Sequence, residues 1–280
     1  MSKFFFFLGI GLALCKQLAK DHGAKVFLGA RSAERGQAAV KEVLEQAPGA
    51  TVELVQIDVS SDESVKAAAD SLQEKGVKLN ALVNNAGRGL SHGATVEEVL
   101  NVNAMGPKRV VDAFLPLLKP GDDGYARIVN VGSGAGPMYL AKQNEERKKI
   151  FCNPTVELEE WTNLFNDGLT ESDKSDEMAG YGFSKALLAL YTLYTARAYA
   201  EKKILSLCLS PGYIATSMTK NWGGGKSPEE GTVSLRHCLF KTTVENNGWF
   251  YGSDAERSPL HFLRNPGEPS FDGIYPWDKK

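Results

Sequence analysis

The 280 residues are 42% hydrophobic and 24% charged, an ordinary globular composition with length enough to bury a sizeable core. The formal net charge is −2, so no basic excess exists to neutralise a phosphate backbone, which excludes nucleic acid as a partner. Four dispersed cysteines (Cys15, Cys152, Cys208 and Cys238) suit neither a zinc site nor a disulfide framework and fit a reducing, cytoplasmic compartment.

Behind Lys3, residues 4–15 have the apolar character of a signal-peptide core. The run is too short to span a bilayer as a helix, so no membrane is expected. It reads better as a buried strand entering a packed helix. Further strand candidates are 25–28, 52–57, 81–83, 127–131, 204–209 and 249–251. Helical stretches lie between them: 32–46 and 61–75, both opening on serine caps, then 96–118 and 179–202. This alternation predicts an α/β, Rossmann-like, doubly wound parallel sheet in three layers, α/β/α, with ligand at the carboxyl ends of the strands. Two segments interrupt it within a single domain over 1–280. The first is a polar, acid-rich insertion at 137–178, with short helical pieces at 157–161 and 164–165. The second is an extension at 253–280, where four prolines forbid a long helix and the interleaved Phe262, Phe271, Tyr275 and Trp277 predict packing onto the domain.

Tyr181-Gly182-Phe183-Ser184-Lys185 sets a phenol and an ammonium four residues apart, on one face of a helix. A neighbouring ammonium favours phenolate, lowering a pKa that is ordinarily about 10. A tyrosine so tuned acts as general acid or base. Alone, the spacing is equally that of a surface pair. The strand at 127–131 ends in Gly132-Ser133, which puts a hydroxyl at the carboxyl end of the sheet; alone, Ser133 is equally a turn residue. Asn84-Asn85-Ala86-Gly87 ends another strand in a small turn that lets a flat ligand approach the backbone. Asn101 and Asn103 fall inside a helix, and Pro211-Gly212 closes a further strand.

In this order, Asn84-Asn85-Ala86-Gly87, Asn103, Ser133, Tyr181-x-x-x-Lys185 and Pro211-Gly212 resemble the short-chain dehydrogenase/reductase family over about residues 9–251. The long segment between Ser133 and Tyr181 resembles the monomeric NADPH-dependent carbonyl reductases. So do Ser227-Pro228-Glu229-Glu230-Gly231 and the run from Arg31-Ser32-x-x-Arg35 to Val40. The resemblance implies reduction of a small-molecule carbonyl substrate (ketone, aldehyde or quinone) by NADPH. Tyr181 would give its proton to the carbonyl oxygen, and Ser133 would hold that oxygen. Lys185 would lower the phenol's pKa and bind the nicotinamide ribose. Asn103 would hold a water that reloads the proton through Lys185. Gly9, Ile10 and Gly11 would meet the phosphates and Asp58 the adenine. Val59, Asn85, Ala86, Gly87, Pro211, Gly212, Ile214 and Thr216 would complete the cofactor set with Tyr181 and Lys185. After the second strand an acid would hold the ribose 2′-hydroxyl of NAD. This chain has Ala30-Arg31, and a guanidinium suits the 2′-phosphate of NADPH.

The family's phosphate loop, Thr-Gly-x-x-x-Gly-x-Gly, is matched only by Gly9-Ile10-Gly11. Its threonine and first glycine fall on Phe4 and Phe5, where a large ring crowds the phosphates, and the first strand is truncated. Three explanations stand: an N-terminus that is not the authentic one, a variant with weak nucleotide binding, or a catalytically silent nucleotide-sensing or scaffold protein. The intact downstream set favours the first. Trp161, Phe165 and Met178 either line a pocket or pack, and the insertion either covers the helix face on which relatives associate, predicting a monomer, or forms one wall of the substrate pocket. Tyr213, Met218 and Trp222 lie in a loop expected to close over substrate, with Gly223-Gly224-Gly225 supplying mobility.

Overall fold

The computed structural model describes residues 10–89, 93–169, 176–216, 219 and 225–279, together with the backbone of 3–7; residue 177 is described by its backbone alone. Its parallel strands are β1 (Lys3–Phe7), β2 (Lys25–Ala30), β3 (Val52–Gln56), β4 (Ala81–Asn84), β5 (Ala126–Val131), β6 (Ile204–Leu209) and β7 (Phe250–Tyr251). They form one sheet in the order β3-β2-β1-β4-β5-β6-β7. Chain order reverses between β1 and β4, which opens the ligand crevice of a doubly wound fold there. Helices cover both faces, so β5 and β6 are buried along their whole length.

The phenylalanine run is itself the first strand. It pairs with β2 along its five residues, from Lys3 opposite Lys25 to Phe7 opposite Gly29. Against β4 it pairs over two, Phe4 with Ala81 and Phe5 with Leu82. At five residues the strand is as long as β3, and only positions 8 and 9 separate it from the first helix, α1 (Ile10–His22), so the shortening falls on the connection.

The second and third helices, α2 (Ala33–Gln46) and α3 (Asp62–Glu74), start where their caps predict. Ser32 accepts from Arg35 N and Ser61 from Ser64 N. The stretch expected at 96–118 is not one regular helix. It comprises α4 (Val96–Leu100), a π-helical turn at Asn101–Met105, and α5 (Gly106–Phe114). Alternate residues of β2 feed two cores. Val26 and Leu28 pack with Leu14, Val40 and Leu235 on one face, and Phe27 packs with Val65 and Phe114 on the other.

In the insertion, the two short pieces expected at 157–161 and 164–165 are one helix, α8 (Leu158–Asp167). Two more precede it, α6 (Ala135–Ala141) and α7 (Glu145–Phe151). The first of these carries Gly136 and Pro137, poor helix formers, and tertiary contact sustains it. A Cβ at Gly182 would lie 2.8 Å from Ala135 O, and one at Gly136 would lie 3.2 Å from Ala186 N, so two backbones cross there that only glycine allows. The crossing partner is α9 (Glu177–Ala198), and α10 (Val233–Phe240) follows β6. The C-terminal extension packs as expected. His261 lies edge-on to Phe262, Phe271, Tyr275 and Trp277, and Tyr275 and Trp277 join the core. No helix among the described residues is long and apolar enough to cross a membrane.

Candidate active site

The strand ends at β4, β5 and β6 and one face of α9 converge on the residues that the sequence singles out. Inward of that face, Phe183 is buried between Tyr139 and Phe151, with ring centroids 5.7 and 5.9 Å away, which fixes the rotation of α9. Tyr181 is then partly buried beside Ser133. Burial raises its phenol above the ordinary value, and a hydrogen bond with the Ser133 hydroxyl draws it partly back.

Lys185 follows on the next turn of the same helix face. It is 5% exposed, donates to Val131 O at 2.9 Å and stands 5.9 Å from the centre of the Tyr181 ring. Burial pulls the ammonium down to about 8, against a smaller opposing effect of Cys208. Desolvation is the largest effect at both members of the pair.

Asn103 sits in the π-helical turn, fully buried. Its Oδ1 accepts from Arg88 N at 2.8 Å, and its Nδ2 donates to Arg88 O at 2.9 Å and to Ser184 Oγ at 3.1 Å. Ser184 in turn donates to Tyr181 O at 2.7 Å. The asparagine therefore ties the turn after Gly87 to the first helical turn of the Tyr181 region. A Cβ at Gly87 would lie 3.6 Å from Asn103 Oδ1 and 3.7 Å from Lys185 Nζ, so these three positions border one space.

A second polar chain runs beneath. Asn84 Nδ2 donates to Asn130 Oδ1 at 2.8 Å, and Asn130 Nδ2 to Thr192 Oγ1 at 2.9 Å, linking β4, β5 and α9 inside the core. Asn130, Thr192 and Ser184 were not anticipated. Asn130 in the middle of an apolar strand is the signal that could have found this network, since a buried amide needs partners.

On the nucleotide side, Asn85 lies at α1, where a Cβ on Gly11 would come within 3.1 Å of its Nδ2. Ile10 and Ile214 both pack against Gly231, and Ile214 is buried. Arg31 is exposed at the end of β2. Burial pushes the Asp58 carboxyl up, but the Ser60 hydroxyl (2.6 Å), the Ser60 N–H (2.9 Å) and the Arg31 charge hold it below the usual carboxylate range. Val59 is buried against Gly106. Pro211 is buried, Gly212 adopts φ +87 against Ser253, and Thr216 N donates to Thr219 Oγ1 at 2.9 Å. Ala86 and Gly87 stay accessible between these groups. Gly9, Met218, Trp222, Gly223 and Gly224 lie outside the described residues. Trp161 is a packing residue: fully buried, it donates Nε1–H to Leu187 O at 2.9 Å and stacks on Phe165. Met178 is exposed.

Residues 7–144 match the family model described as short chain dehydrogenase. The chain is 33% identical over 279 residues to a protein named (+)-neomenthol dehydrogenase from Arabidopsis thaliana, covering 87% of this chain and 92% of that one. It is 30% identical over 290 residues to carbonyl reductase 1, named for NADPH, from Sus scrofa, covering 96% and 94%. Among solved structures, salutaridine reductase from Papaver somniferum matches with a TM-score of 0.76 at 26% identity, over 90% of this chain and 99% of that one. An NADPH-bound carbonyl reductase from chicken fatty liver shares the fold, with a TM-score of 0.68 at 23% identity over 92% and 99%. With this identity over nine-tenths of its relatives' length, the chain belongs to the short-chain dehydrogenase family, within which it resembles the carbonyl reductases.

Proposed function

We propose that this chain, acting as one domain, is a cytoplasmic, monomeric reductase that converts small-molecule ketones, aldehydes or quinones to alcohols with NADPH. The observation that carries the reading is the buried Tyr181 phenol on the Ser133 hydroxyl, framed by Lys185 and the Asn103–Ser184 link. The residues present fit NADPH at both ends. Arg31, exposed at the end of β2, offers a guanidinium beside Asp58 for a 2′-phosphate, and Gly87 leaves a cradle bordered by Asn103 and Lys185 that a side chain would fill. Ile10 and Gly11, opening the 13-residue helix α1, offer backbone N–H groups to the phosphates. When bound, NADPH supplies the hydride.

The protein's part is to place and protonate. A phenol raised above its ordinary value is protonated at neutral pH, the form that reduction needs. Tyr181 gives that proton to the carbonyl oxygen while Ser133 holds the same oxygen in place. Lys185, with its ammonium near neutrality, returns a proton to the tyrosinate. Asn103 Oδ1 faces the same space as Lys185 Nζ, which gives a water its place in that return. The two-position connection between β1 and α1 favours a second reading, a nucleotide-sensing or scaffold chain that keeps the fold but grips the pyrophosphate weakly.

NADPH oxidation against a panel of carbonyls, with Tyr181→Phe beside the wild type, tests the first reading. The variant is expected to lose about 10²–10⁴-fold in kcat. Activity that survives the substitution removes Tyr181 as the acid. Fluorescence titration separates the two: no NADPH binding below millimolar concentration would mean that this chain is not a working reductase.

A further inference from the structure

The C-terminal extension is pressed against the catalytic face at two points. A Cβ on Gly212, at the end of β6, would lie 2.9 Å from Ser253 Cβ. A Cβ on Gly134, the residue after Ser133, would lie 3.0 Å from Leu263 Cδ1. Leu263 is nevertheless 40% exposed. Met138 stands one helical turn beyond Gly134, its N–H donating to Gly134 O at 3.0 Å, and is 49% exposed. Single exposed apolar side chains need no explanation. Here one of them meets the residue after Ser133, and the other follows that residue by one helical turn.

The segment bearing Leu263 is held in a way that mere surface packing does not require. Arg264, the next residue, is 5% exposed. Its guanidinium pairs with Asp254 and donates to Ser258 Oγ (2.9 Å), Asn265 O (3.1 Å) and Glu268 O (2.6 Å). The other Asp254 oxygen accepts from Gly267 N at 3.0 Å. A buried guanidinium is tolerated only when its donors are satisfied, and satisfying these fixes the backbone on both sides of Leu263.

We propose that Leu263 is a specificity-determining residue, forming with Met138 an apolar wall beside Ser133 for the uncharged hydrocarbon part of a ketone, and that Asp254 and Arg264 are positioning residues for that wall. The proposal rests on the carbonyl-reduction reading. Steady-state kinetics with acetone and 4-tert-butylcyclohexanone test it in the wild type, Leu263→Ser and Asp254→Asn, with Phe240→Ser as a remote exposed control. In Leu263→Ser the KM for the bulky ketone, relative to that for acetone, rises about tenfold, the scale on which an apolar pocket discriminates hydrocarbon. Asp254→Asn moves the same ratio in the same direction through KM, with kcat retained, and Phe240→Ser moves nothing. An unchanged ratio in Leu263→Ser overturns the wall; a fall in kcat alone in Asp254→Asn overturns the positioning role. Saturation-transfer NMR of 4-tert-butylcyclohexanone gives a readout free of turnover. Transfer to the tert-butyl protons in the wild type and its loss in Leu263→Ser support the wall even where no carbonyl is reduced, which by itself sinks the parent reading. Transfer that is absent in the wild type, or equal in the two proteins, overturns it.

Discussion

Lys185 is held at a cost to the fold. Its ammonium titrates near 8 when folded and at 10.5 when exposed, so between those values the unfolded chain binds more protons and stability rises with pH. Below pH 8 the whole penalty persists, roughly 3 kcal/mol at about 1.4 kcal/mol per unit. The bond to Val131 O returns part of it. Lys185→Met is therefore expected to be more stable than the wild type by about 1–2 kcal/mol at pH 7, with the difference shrinking toward pH 10.5. Urea unfolding at both pH values measures this, and a less stable variant at pH 7 would contradict the burial penalty. Arg31 carries a separate expectation. Arg31→Ala should weaken NADPH by about tenfold more than NADH, the worth of one charge-assisted hydrogen bond to a phosphate, as read by fluorescence titration.

At the scale of elements, the sequence was most legible where local chemistry decides. Ser32 and Ser61 start helices because their hydroxyls take orphan N–H groups, and a short apolar run marks β2. It was least legible where tertiary contact decides. Nothing local in Ala135–Ala141 calls for a helix; the crossing at Gly136 and Gly182 does. The site divides in the same way. Tyr181, Lys185, Ser133 and Asn103 were legible as a pattern. The rotamer that turns Lys185 to Val131, and the Asn84–Asn130–Thr192 chain, depend on which strands become neighbours. Thr192→Val keeps the shape and leaves Asn130 Nδ2 without its acceptor in the core. It is expected to destabilise by about 1–3 kcal/mol in urea unfolding, far more than a surface Thr→Val change. A loss under about half a kcal/mol would mean that the amide finds another partner.

For the whole molecule, the proposed monomer turns on the insertion. Trp161, on α8, packs against α9, its indole 5.3 Å from the Tyr191 ring and donating to Leu187 O, so this face of α9 is taken by the chain's own residues. Trp161→Ala is expected to destabilise by about 3–5 kcal/mol and to bare an apolar helix face. Light scattering on a sizing column would then show a monomeric wild type and a self-associating variant; a wild-type dimer would remove the proposed role of the insertion.

The strand order also has a meaning in time. The strand made first ends in the middle of the sheet, flanked by β2 on one side and β4 on the other. Its β4 edge waits for a partner roughly eighty residues further along the chain, which at about 5–20 residues per second is on the order of 4–16 s of synthesis. During that interval four consecutive phenylalanines have one open hydrogen-bonding edge, the sort of segment that pairs with another chain's. Soluble yield is thus expected to follow translation speed and the supply of holding chaperones more closely than it follows the stability of the finished fold.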